Sequence, residues 1–157
     1  MDITTLLSTD RIIFTDEVSS MKKAFEQLSR LLCRDLQNSD VCADEAFDVL
    51  ISREKLGSTA LGNGIAIPHA CMPIPEPVAA LLVTGEGIKM DSPDKKPVHT
   101  LLALLIPSRD SKSYRPLLKA MAANINQKDL SRILLEQQHP GVALEYISSL
   151  FITDIAA

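Results

Sequence analysis

The run from Val98 to Ile106 is apolar at nearly every position and stops at Pro107. A strand with one wet face alternates polar and apolar residues; a continuous apolar run of this length belongs to a central strand buried on both faces. Both faces then need helical cover, which confines the chain to an α/β arrangement. The rest of the sequence supplies that cover. Ser19 and Ser20 can cap a helix running to about Asn38, with Met21, Ala24, Phe25, Leu28, Leu31, Leu32 and Leu36 on one stripe. A second helix spans about Ala43 to Lys55 and stops before Gly57. Three more are expected after the central strand: from near Ser111 to about Ile125, Lys128–Gln137 and Pro140–Ile152. Strands are expected at Arg11–Thr15 and at Val78–Gly85, the latter closed by a turn at Gly85-Glu86-Gly87. Met72–Pro77 and Met90–Pro97 read as loops, and residues 1–10 as a helical or irregular lead-in. The expected fold class is α/β, a mixed β-sheet flanked by helices on both faces, in one domain covering residues 1–157.

Chemistry concentrates in Gly57-Ser58-Thr59-Ala60-Leu61-Gly62-Asn63-Gly64-Ile65-Ala66-Ile67-Pro68-His69. Gly64–Ile67 reads as a short buried strand that Pro68 ends by withdrawing a ladder donor, placing His69 at a strand exit. In open α/β sheets ligands sit beyond such exits. The glycines of Gly62-Asn63-Gly64 let backbone N–H groups approach an anion, and Ser58 and Thr59 add hydroxyl donors. Arg53, in the last turn of the second helix, reads alone as a helix-end surface cation that suits the helix dipole. Each feature also has a plain structural reading. Asn-Gly pairs mostly mark turns, hydroxyls satisfy turns, and an isolated histidine is more often simply satisfied by backbone groups.

The segment Leu56–Thr59 through Gly62–His69 resembles the active-site motif of the phosphotransferase-system enzyme IIA domains of the fructose/mannitol class, the nitrogen-regulatory members above all. The resemblance reaches upstream to Ser52-Arg53-Glu54 and downstream through Pro97-Val98 and Leu101–Pro107. It implies a single-domain IIA-type fold in which His69 accepts a phosphoryl group from a histidine phosphocarrier protein (HPr/NPr-like), with Arg53 a candidate for neutralising phosphoryl charge. The phosphorylation state of His69 would then regulate target proteins such as a kinase, transporter or enzyme. Phosphoryl transfer needs an in-line nucleophile and donors around the equatorial oxygens, and neutral imidazole can be that nucleophile at about pH 7. The group would be relayed, not hydrolysed, and no cofactor is called for. The family usually carries a second histidine after the central strand. Aligning Pro107–Tyr114 to that region puts Tyr114 in its place, a hydrogen-bond donor without positive charge near neutral pH. Ala70 likewise stands where glycine is common in the family.

A net charge of −4 argues against a nucleic-acid surface, and no apolar run approaches the roughly 20 residues that span a bilayer. The amino terminus lacks signal-peptide character, and three cysteines (Cys33, Cys42, Cys71) form no metal-type pair; the odd count suits a reducing compartment, so a cytoplasmic location is expected. His69 and Cys71 alone do not make a metal site, and His99, near the start of the central strand, is expected at the opposite end from His69 in a structural role. Two alternatives remain beside the regulatory phosphocarrier: a regulatory binding protein of the same fold that does not transfer, and a sugar-specific (fructose/mannitol) IIA component.

Overall fold

The computed structural model describes residues 3–151. Among the described residues six strands form one mixed sheet: β1 (Ile12–Thr15), β2 (Ala60–Gly62), β3 (Ile65–Ala66), β4 (His69–Met72), β5 (Val78–Ile88) and β6 (Val98–Pro107). Their order is β1-β5-β6-β3-β2, and β4 also pairs with β6, further along the edge that β3 occupies. β5 and β6 are antiparallel, whereas β3 and β4 both run parallel to β6.

The apolar run behaves as a doubly buried strand should. Leu101, Ala103 and Leu105 point into a core formed with α1 (Met21–Cys33) and α2 (Ser39–Leu56). Leu102, Leu104 and Ile106 point the other way, into a core with α3 (Arg115–Ile125), α4 (Leu130–Gln137) and α5 (Pro140–Phe151). The alternation is the period of two, applied with apolar residues on both sides. The expected mixed sheet with helices on both faces is the fold observed.

Several boundaries differ from the sequence expectation, each for a local reason. Ser20 caps α1, its hydroxyl accepting from the Lys23 amide at 3.2 Å, but the helix ends at Cys33. Asn38 is in the left-handed region and starts α2 at Ser39, earlier than expected. A disulfide joins Cys33 to Cys42 across this helical corner and leaves Cys71 as an exposed thiol, a pairing the odd cysteine count did not foretell. Gly85-Glu86-Gly87 is not a terminal turn. It is an irregularity inside β5, where register passes from Val83↔Thr100 to Ile88↔Val98. Gly87 has φ +79°, and a Cβ there would lie 3.0 Å from the His99 ring, so glycine is required. Ser111–Tyr114 forms a separate single turn before α3, because Pro116 has no N–H to return to the preceding turn. Position 152, given to the last helix from sequence, lies outside the described residues.

Candidate functional site

The site lies where α2 ends and β4 begins. Pro68 does not terminate the strand line as its missing donor suggests. Its carbonyl still accepts from the Leu104 amide at 2.9 Å, so pairing with β6 resumes at once. His69 is therefore the first residue of β4, opposite Leu104, and not a residue beyond a strand end.

The imidazole orientation is set by one hydrogen bond, between His69 Nδ1 and the Ile67 carbonyl at 2.8 Å. A carbonyl only accepts, so Nδ1 carries the proton and Nε2 keeps the lone pair. The ring stays neutral to lower pH than a free imidazole. Burial is the main cause; the Ile67 hydrogen bond opposes it, the Arg53 charge adds to it, and the Glu54 charge opposes it.

Ile67 is itself held. Its amide donates to the Thr59 carbonyl at 3.1 Å. Thr59, buried, gives its amide (3.0 Å) and its hydroxyl (2.7 Å) to the Glu54 carboxylate. Glu54–Thr59–Ile67–His69 is thus a continuous chain of hydrogen bonds from the last turns of α2 to the imidazole. Arg53, half-buried, anchors one guanidinium nitrogen on the Gly57 carbonyl at 2.8 Å. The Ser58 hydroxyl oxygen accepts from the Ala60 amide at 3.2 Å, which leaves its own hydrogen available to a ligand.

Arg53, Ser58, Thr59, Ala60 and His69 line a cleft of about 200 Å³, completed by Leu61, Ile67, Leu118 and Ala122, with Glu54 behind Thr59. The volume suits a phosphoryl-sized group, with Arg53 and the Ser58 hydroxyl as polar lining and α3 as an apolar wall. Of the sequence candidates, the structure brings Arg53, Ser58, Thr59 and His69 together. Thr59 has its donors committed to Glu54, so it shapes the site and does not offer a free hydroxyl.

Gly62, Asn63 and Gly64 are elsewhere. They form the tight β2–β3 turn, all three with positive φ. The turn lies towards the start of β6: β3 begins opposite Thr100 while His69 is opposite Leu104, a separation of roughly 13 Å along the strand at ~3.3 Å per residue. The Asn63 amide already donates to Asp94 at 3.0 Å, and the Gly64 carbonyl accepts from the His99 and Thr100 amides. The glycines serve backbone geometry at the far end of the sheet. Tyr114 also lies outside the cleft lining, at the start of α3, packed against the second core. The cleft receives Leu118 and Ala122 from α3 in its place. Sequence reasoning did not assign Glu54, Leu118 or Ala122 to the site. For Glu54 the signal was its place beside Arg53; for Leu118 and Ala122, their four-residue spacing within the helix expected from near Ser111 to about Ile125. His99 sits at the opposite end of β6, its Nδ1 donating to the Thr84 carbonyl at 2.9 Å, in the structural position expected.

Fold and cleft together define an α/β domain that presents one neutral histidine, tautomer fixed, beside an arginine in an anion-sized hollow. Residues 5–150 match the family model described as "Phosphoenolpyruvate-dependent sugar phosphotransferase system, EIIA 2", and the chain belongs to that family. It is 35% identical over 126 residues to a nitrogen regulatory protein of Pseudomonas aeruginosa, covering 80% of each chain. It is 30% identical over 138 residues to a fructose-specific EIIA component of Haloferax volcanii, covering 87% of this chain and 88% of that one. The crystal structure of nitrogen regulatory protein IIA-Ntr from Neisseria meningitidis superposes with TM-score 0.77 at 30% identity, covering 95% of this chain and 98% of that chain. Among the described residues no helix is long and apolar enough to cross a membrane.

Proposed function

We propose that this chain is a nitrogen-regulatory IIA-type phosphocarrier in which His69 Nε2 accepts a phosphoryl group from an HPr/NPr-like histidine phosphocarrier protein. The observation that carries the reading is the His69 Nδ1–Ile67 carbonyl bond, which leaves Nε2 with the lone pair in a ring that lines the cleft. In the transfer a P–N bond forms at Nε2 as the donor's P–N bond breaks. The imidazole then gains positive charge, and the Ile67 carbonyl already faces its Nδ1–H. Arg53 and the Ser58 hydroxyl meet the equatorial oxygens, while Leu118 and Ala122 keep water from the labile bond. Tyr114 acts only through the packing of α3 and does not replace the family's second histidine. The phosphorylation state of His69 sets which target proteins are bound.

The test is intact-mass analysis after incubation with phosphoenolpyruvate, enzyme I and either the general or the nitrogen-specific histidine carrier, samples being kept alkaline. One phosphoryl group on the wild type and none on His69→Ala is the expected result. No label from either pair would replace this reading with that of a binding protein that does not transfer. The likeness to the fructose-specific relative makes a sugar-specific component the second reading. Hand-over from phosphorylated His69 to a sugar-specific IIB domain would favour it.

A further inference from the structure

A second, larger cleft of about 1010 Å³ opens on the other side of the α2–β2 connection, sharing Ser58 with the His69 cleft. Lys55, Lys89, Lys95 and Lys96 line it, and its apolar surface comes from half-buried Met21 and exposed Pro97, with Met90 buried beneath them in the first core. Two carboxylates, Glu54 and Asp91, also border it, so the lining carries four positive charges against two negative ones. Among the described residues the ion pairs are made by Arg11, Arg34 and Arg132, and none involves these four lysines. Four lysines outside any ion pair thus give this cleft a net positive lining in a chain whose net charge is −4. Like charges held together repel, and a bound anion relieves that cost.

The edge that carries two of the lysines is tightly built. The Ser92 hydroxyl, buried, donates to the Lys96 carbonyl at 2.7 Å, and Asp94 accepts from the Lys96 and Asn63 amides. Lys95 is held in the left-handed region at φ +59°, sparsely populated for a lysine. The bonds that fix this turn leave both ammonium groups free.

From the lysines, the apolar surface and the volume together, we infer that this cleft binds a nucleoside polyphosphate. The lysines take the phosphates as point charges, and the base lies on the Met21 thioether and Pro97, sulfur–aromatic contacts being favourable. The volume is at the upper end of small-molecule sites, enough for a nucleotide and more than a single phosphate needs. The assignment does not depend on phosphorylation of His69.

The experiment is isothermal titration of the full chain with ATP, with inorganic tripolyphosphate and polyglutamate as comparison probes. Three proteins are compared: the wild type, the double variant Lys95→Glu/Lys96→Glu, and the control Lys119→Glu/Lys128→Glu, which changes net charge equally at exposed positions outside the cleft. Thermal unfolding verifies that each is folded. The expected result is saturable, one-to-one ATP binding that weakens by about tenfold or more in the cleft variant and by less than about threefold in the control. ATP should also bind more tightly than tripolyphosphate. Absence of saturable ATP binding to the wild type, or equal weakening in both variants, overturns the proposal. Tripolyphosphate binding as tightly as ATP removes the nucleoside from it, and polyglutamate binding without ATP binding reassigns the cleft to an acidic protein segment.

Discussion

Replacing Thr59 by valine tests the hydrogen-bond chain that aims His69. Valine keeps the branched shape at a buried position and deletes the hydroxyl that meets Glu54 at 2.7 Å. The Thr59 amide still reaches Glu54, so one charge-assisted bond of the pair is lost. Such bonds contribute about 1.5–3 kcal/mol, and half-exposure of Glu54 places this one at the lower end, about 1.5 kcal/mol. In a chain of this size that lowers the thermal midpoint by roughly 3–6 °C. The functional loss should be larger than the stability loss implies. Thr59 also holds the Ile67 amide, and the Ile67 carbonyl holds Nδ1. Phosphorylation by the carrier, followed by intact mass over time, should slow about tenfold as Nε2 loses its fixed aim. Thr59→Ser restores the hydroxyl and should recover most of both losses. If Thr59→Val matches the wild type in midpoint and rate, or if Thr59→Ser fails as badly as valine, the chain does not position His69.

Charge around His69 gives predictions of fixed sign. Arg53 holds the imidazole pKa down, so Arg53→Gln should raise it, read from an NMR titration of the ring protons, while slowing phosphorylation; an unchanged titration would remove Arg53 from the site. Glu54→Gln should shift the titration the opposite way, because Glu54 opposes the depression. Since folding lowers the pKa from 6.5, the contribution of His69 to stability is present above about pH 6.5 and is lost as pH falls through the folded value. His69→Gln should therefore flatten part of the acid limb in urea unfolding measured from pH 7 to 5. Far from the cleft, Gly87→Ala combines a positive φ with a Cβ 3.0 Å from both Pro97 and the His99 ring, and should cost about 2–4 kcal/mol in urea unfolding. Gly57→Ala meets nothing within 4 Å and should stay within about 0.5 kcal/mol.

The parts of this protein that were legible in its sequence are those decided locally. The Val98–Ile106 run requires cover on both faces wherever it sits, and the Ser20 cap needs only an amide three residues on. Glycine richness is ambiguous in a way no local pattern resolves. Backbone freedom serves a tight turn as well as an anion, and the choice at Gly62–Gly64 is made by Asp94, which takes the Asn63 amide from 31 residues away. A helical stripe is equally silent about its neighbour: Leu118 would repeat at the same spacing whether it faced the core or walled the cleft around His69. The tautomer of His69 depends on where the Ile67 carbonyl points, and that depends on Thr59 and Glu54 across the hairpin. The candidate histidine can thus be read from the motif, whereas which of its nitrogens keeps the lone pair is a property of the fold. It follows that variants at Glu54 or Thr59, neither of which meets a free ligand through a spare donor, should alter the chemistry of His69 as surely as changes at Arg53.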